Sequence, residues 1–265
     1  MFISYHAQGR LGNNIFQYIA VKVVQKYVRE LGTECEYVYN QRSTFFTEFN
    51  FKQLYMLLKE CILNKKDMIY INGFLNRDWF FDGFYQFDYH ILENRDYIGS
   101  LFTLENTERI NDNYRVCDIV EAVNKYKLTF PDDSVVTHVR LDDFSNIVDF
   151  NSLKYILNPF KNVYIVVDKL KKDWERKYMD EFKDMVKHKN INIISNDDMF
   201  KDLAYLWFAP NLVCNNSTFC WVAGILGDCN NSWCPRNLNH HPPQSFERVK
   251  DDTVIFDWNT YQKRP

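Results

Sequence analysis

Residues 1–28 read MFISYHAQGRLGNNIFQYIAVKVVQKYV. An apolar run at 2–5 gives way to a loop carrying two glycines, an arginine and two asparagines, and then to Ile15, Ile19, Val23 and Tyr27 at i+4 spacing. That recurrence marks one face of a helix, so 2–5 reads as a strand and 14–31 as a helix, with Gly32 as its C-cap. A strand at 36–39 completes a strand, loop, helix, strand unit, the building block of a parallel sheet.

The second half of the chain repeats the pattern. Apolar runs at 135–139, 163–167 and 191–194 alternate with amphipathic stretches at 174–186 and 199–208, the signature of buried strands and their covering helices. A fourth run, 212–214, leads into a helix with Asn216 or Ser217 as N-cap and Gly227 as its stop. Between the halves, 41–130 is less regular: a helix is expected at 53–63, a strand at 68–74 and a helix at 106–123. A break at Pro131-Asp132-Asp133-Ser134 divides the chain into two α/β domains, 1–131 and 132–265. No internal repeat or low-complexity tract interrupts them.

Bulk properties exclude several classes. With 265 residues, 25% of them charged and a formal net charge of -3, the chain offers no basic field for nucleic acid. No segment reaches the roughly 18 apolar residues of a membrane span. The seven cysteines show no C-x-x-C pair and no repeated spacing, which favours reduced, buried thiols over a disulfide framework. Nothing in the sequence sets the oligomeric state.

Three stretches carry residues suited to chemistry. In the opening loop, 8–18, glycines permit positive φ and close backbone approach, and the helix start beyond them favours an anion. The loop has neither P-loop nor dinucleotide-binding spacing, and taken alone it reads equally as a plain turn with a surface Arg10. THVRLDDF, 137–144, places His138, Arg140, Asp142 and Asp143 at the carboxyl end of a strand, where open α/β sheets bind ligands. An arginine there can grip a diphosphate, or pair with a neighbouring aspartate. CNNSTFCW, 214–221, opens a helix with Asn216, Ser217 and Thr218, whose hydroxyls and backbone amides form a phosphate cradle or simply cap the helix.

In this order the three stretches resemble a known family. GRLGNNIFQY is similar to the G-[GR]-L-G-N-Q-M-F-Q-Y segment of the α-1,2-fucosyltransferases of glycosyltransferase family 11. HVRLDDF resembles their H-x-R-R-x-D-[YF], and the stretch from Asp202 to Gly227 resembles their motif ending in N-S-T-F-S-W-W-A-A-W-L. The resemblance implies a GT-B fold, with two facing Rossmann-like domains and a GDP-sugar in the cleft. The activity it implies is inverting, metal-independent transfer, with GDP-fucose as donor, a saccharide as acceptor and no cofactor.

The matching positions imply roles. Arg10 and Asn13 would lie near diphosphate and acceptor. His138 and Arg140 would hold ribose and β-phosphate, while Asn216, Ser217, Thr218 and Phe219 cradle the diphosphate. Asp202 would accept from guanine, and Asp143 is a candidate base. Arg140 is the leading catalytic candidate, since fixed cations at the β-phosphate stabilise the charge that develops on the leaving group. The family's second arginine is Leu141 here, which favours a second reading, a catalytically silent relative that binds a nucleotide sugar or glycan. No basic and apolar leader begins the chain, so the expectation is a soluble cytoplasmic enzyme of the bacterial or viral type.

Overall fold

The computed structural model describes residues 1–41, 51–64, 75, 77–141, 147–236, 248–257 and 259. They form two compact units, Met1–Asp118 and Ile119–Pro265. The first contains β1 (Phe2–Tyr5), α1 (Leu11–Glu30), β2 (Glu36–Tyr37), α2 (Phe51–Asn64), β3 (Trp79–Phe81), α3 (Asp88–Leu92) and α4 (Arg95–Leu101). Helix α5 (Val116–Lys125) spans the boundary between the units.

The first sheet has the order β2-β1-β3, and both neighbours pair with β1 in parallel. Helix α1 starts three residues earlier than its apolar period suggested, because Leu11 and Gly12 are themselves buried and extend the helical face. Its end is a glycine stop: Leu31 is the C-cap, and Gly32 follows at φ +84 in the left-handed region that favours glycine. The expected strand at 68–74 lies outside the described residues.

The helix expected at 106–123 forms only from Val116. Upstream, polar side chains take the amides that a helix would need. Asn106 Oδ1 accepts from Glu108 N at 3.0 Å, and Asn111 Oδ1 accepts from Asn113 N and Tyr114 N at 2.9 Å each. Local bonds of this kind compete with helix formation, so the segment folds as turns.

In the second unit, β4 (Ser134–Val139), α6 (Phe150–Leu157), β5 (Asn162–Val167), α7 (Asp173–Met185) and β6 (Asn190–Ile194) follow one another. Then come α8 (Met199–Trp207), β7 (Asn211–Val213), α9 (Thr218–Leu226), β8 (Asn231–Pro235) and β9 (Val254–Phe256). The six strands pair in parallel in the order β6-β5-β4-β7-β8-β9. Taking β4 as the first strand, this is the doubly wound Rossmann order 3-2-1-4-5-6.

The core follows from the sequence: Val135, Val139, Val163 and Ile165 are fully buried and pack with Tyr178 and Phe182 of α7. The chain leaves the first unit inside α5, between Asp118 and Ile119, and not at 131/132. Tyr126, just beyond that helix, is already tied to the second unit by a 2.5 Å hydrogen bond to Asp198 Oδ2. Both units are therefore α/β with parallel sheets. All seven cysteines are free thiols, and all but Cys117 are buried.

Candidate functional site

In a doubly wound sheet the connections on either side of the first strand run in opposite directions, which opens a crevice outside the carboxyl ends of the first and fourth strands. Here those strands are β4 and β7, neighbours through Val136 and Leu212. The sequence puts Arg140 immediately beyond β4 and Asn215-Asn216-Ser217 one residue beyond β7. Parallel pairing thus brings the second and third motifs to one edge.

The start of α9 is open. Ser217 is its N-cap, at φ -146 and ψ 123, but its side chain makes no capping hydrogen bond among the described residues. Asn215 holds the approach instead: its Oδ1 accepts from Asn216 N at 2.8 Å and its backbone oxygen accepts from Ser217 N at 2.7 Å. The first-turn amides of α9 have no carbonyl within the helix to bond, the general feature that makes helix starts suited to anions. Asn216 and Ser217 are buried, and Thr218 and Phe219 are half-buried.

His138 lies in β4, 6% exposed, with its ring 5.8 Å from that of Phe219. Burial first, and the Arg140 charge second, push its pKa down to about 3, so it is neutral. Its Nδ1 has no partner among the described residues. Arg140 follows β4 directly and is half-buried. Leu141 turns inward, 1% exposed, into the hydrophobic core.

Asp202 sits farther along the same edge, in the first turn of α8. Asn196 Nδ2 donates to its Oδ1 at 2.5 Å. Burial raises its pKa to about 6, with the charges of Asp168 and Asp198 adding to the shift and the Asn196 bond opposing it. Asp168 follows β5 directly, at the strand end where dinucleotide-binding sheets carry the acid that holds a ribose. Asn196 and Asn215 were not singled out from sequence. A polar residue just after an apolar run was their only signal.

The opening loop belongs to the first unit. Arg10, exposed, is the N-cap of α1. Asn13, half-buried, accepts from Gln86 Nε2 at 3.1 Å. Gly9 has φ +77, and a side chain there would collide with Asn13. The motif's remaining polar residues serve the loop itself. Asn14 Nδ2 donates to Gln8 O at 2.8 Å, and Gln17 accepts from Gln8 N at 3.1 Å and donates to Gly83 O at 2.8 Å. Asp143 lies outside the described residues. Among the described residues no group of three His, Cys, Asp or Glu side chains is placed to hold a metal ion, and no helix is long and apolar enough to cross a membrane.

No protein-family model matches the chain, and no curated protein matches its sequence. Among solved structures, it is similar to POFUT1 in complex with GDP-fucose, with a TM-score of 0.47 and 14% identity over 96% of this chain and 97% of that one. It is also similar to the E. coli heptosyltransferase WaaC with ADP, with a TM-score of 0.42 and 9% identity over 97% of this chain and 93% of that one. Similarities this low leave the fold to be read from the chain's own sheets.

Proposed function

We propose that this protein is a glycosyltransferase of the GT-B type that takes its sugar from a GDP-linked donor. The activity is inverting α-1,2-fucosyl transfer from GDP-fucose to a hydroxyl of a saccharide, with no metal. One observation carries the proposal: Arg140 and the open start of α9 flank the switch point of a doubly wound sheet. The second and third of the motifs that resemble those of α-1,2-fucosyltransferases fall at that crevice, and two parallel-sheet units are the components a GT-B transferase needs.

In this mechanism the diphosphate lies on the first-turn amides of α9, with Ser217 and Thr218 hydroxyls as further donors. As the bond from the donor C1 to the β-phosphate oxygen breaks, negative charge grows on GDP. Arg140 and the α9 amides oppose that charge more strongly in the transition state than in the ground state. Neutral His138 offers a hydrogen bond without competing for the phosphate. Asp202, as carboxylate, suits the two adjacent N–H groups of guanine. Arg10 and Asn13 serve the acceptor side.

Thermal shift with GDP, UDP and NAD tests the donor class. GDP at 100 times its dissociation constant adds about 2.7 kcal/mol of stability. Arg140→Ala should abolish that gain and lower transfer by at least about 10²-fold while the fold survives. Retained transfer, or equal stabilisation by all three nucleotides, contradicts the assignment.

Burial of Leu141 where the related enzymes carry a second arginine favours a non-catalytic donor-binding protein as the second reading. Incubation with GDP-fucose decides between them: a binder is stabilised yet releases no GDP.

A further inference from the structure

The carboxylate assigned above to guanine is one that the fold makes hard to keep charged. Asp202 is 7% exposed, in the first turn of α8, and α8 packs against β4, β5 and α9. Those elements bring it no cation. β4 carries only His138, which is neutral, β5 only Tyr164, and α9 only the buried Cys220 thiol as titratable groups. The acids whose charges reach Asp202 repel it: Asp168 follows β5, and Asp198 is the N-cap of α8. Asp198 accepts from Phe200 N at 2.9 Å and from the Tyr126 hydroxyl. Lys169, which follows Asp168, pairs with Asp197.

Asn196 opposes this pressure. It lies two residues beyond β6, half-buried, and its Nδ2 donates to Asp202 Oδ1 at 2.5 Å. A bond from a neutral amide favours the charged carboxylate without bringing a charge of its own. It also tethers one oxygen to the loop after β6, which limits rotation of the carboxylate. Guanine presents two adjacent N–H donors, which a carboxylate accepts and a protonated carboxyl does not match. An ionised carboxylate has about four lone-pair sites, so Oδ1 can hold Asn196 and still accept from the base.

We propose that Asn196 is a positioning residue for guanine recognition, holding the Asp202 carboxylate in place and ionised, so that capture of the donor is coupled to a proton. The role rests on the donor assignment above. With Asp202 ionised, the base meets two acceptor oxygens. With Asp202 protonated, a hydroxyl faces the guanine N–H groups and one hydrogen bond becomes a clash of donors. Burial sets the titration near about 6, so the coupling falls just below neutral pH. Donor binding near that pH releases a proton from the fraction of Asp202 that carries one.

The test measures the affinity of the full chain for GDP-fucose by calorimetry, without acceptor, from about pH 5 to about pH 9. GDP-fucose is the probe because the terminal phosphate of GDP itself titrates near about 6. Parent affinity should be level at high pH and fall about tenfold per pH unit below the Asp202 midpoint. Heats in buffers of different ionisation enthalpy should report proton release at that midpoint. Asn196→Ala should move the midpoint to higher pH while leaving affinity at about pH 9 within about threefold of the parent. Asn196→Asp, which keeps the side-chain volume, should move it further and serves where Asn196→Ala unfolds. Asp202→Asn should weaken binding and remove the pH dependence. A parent affinity that does not change with pH, an unmoved midpoint in both Asn196 variants, or a loss equal at every pH overturns the role of Asn196. Parent-level binding by Asp202→Asn overturns it too, and leaves Arg140 and the start of α9 as the diphosphate site. A parent that binds no GDP-fucose at any pH overturns the donor assignment itself.

Discussion

At the scale of single residues, burial decides the charge state of the two histidines that matter most. His138 and His90 are buried and held near a pKa of about 3 by desolvation, with the Arg140 charge adding to the shift at His138. His90 has neither ring nitrogen partnered among the described residues, and the Phe51 ring lies 4.9 Å from its own. In the unfolded chain each would titrate near about 6.5. The unfolded state therefore binds more protons between those values. The corresponding stability is present above about pH 6.5 and is lost as pH falls towards 3. Denaturant midpoints should drop between about pH 7.5 and about pH 5, and His90→Phe should weaken that dependence. A constant midpoint would contradict it.

At the scale of elements, the loop from Gln8 to Arg10 is held by α1 through side chains that its own motif supplies. Gln17, fully buried, joins Gln8 to Gly83. Gln17→Leu should cost about 1–3 kcal/mol in urea unfolding, because a backbone amide and a carbonyl lose their partners. Half of the motif was legible from sequence for its role in the fold, since the apolar period of α1 is unbroken from Ile15 to Tyr27. The polar half was not. Asn14 and Gln17 take partners at Asn111 and Gly83, far along the chain, which no local pattern announces. The segment 106–115 failed for the converse reason, as its asparagines bind nearby amides that a periodic pattern assigns to a helix.

At the scale of the molecule, the second sheet was largely readable because parallel strands buried on both faces are near-continuous apolar runs. β8 and β9 were missed: Asn231–Pro235 and Val254–Phe256 carry polar, proline and half-exposed positions towards the edge of the sheet. The first sheet was harder, with strands of four, two and three residues. The proposed donor site was read from motif order, and the pairing of β4 with β7 brings the second and third motifs to one edge. On the proposed function, GDP should slow amide exchange at 138–141 and 215–221, with little change at 2–5. EDTA should leave the transfer rate near its untreated value, and a strict requirement for added Mg²⁺ or Mn²⁺ would contradict a metal-free mechanism.

The adjacency of β4 and β7 also has a kinetic meaning. Val136 pairs with Tyr164 on one side and with Leu212 on the other, separations of 164 − 136 = 28 and 212 − 136 = 76 residues. Longer loops close later and at greater entropic cost. Arg140 and Ser217 therefore come to one edge only when the most distant of these pairings forms. A nucleotide bridging the two strand ends should accordingly leave the refolding rate almost unchanged and lengthen the lifetime of the native state.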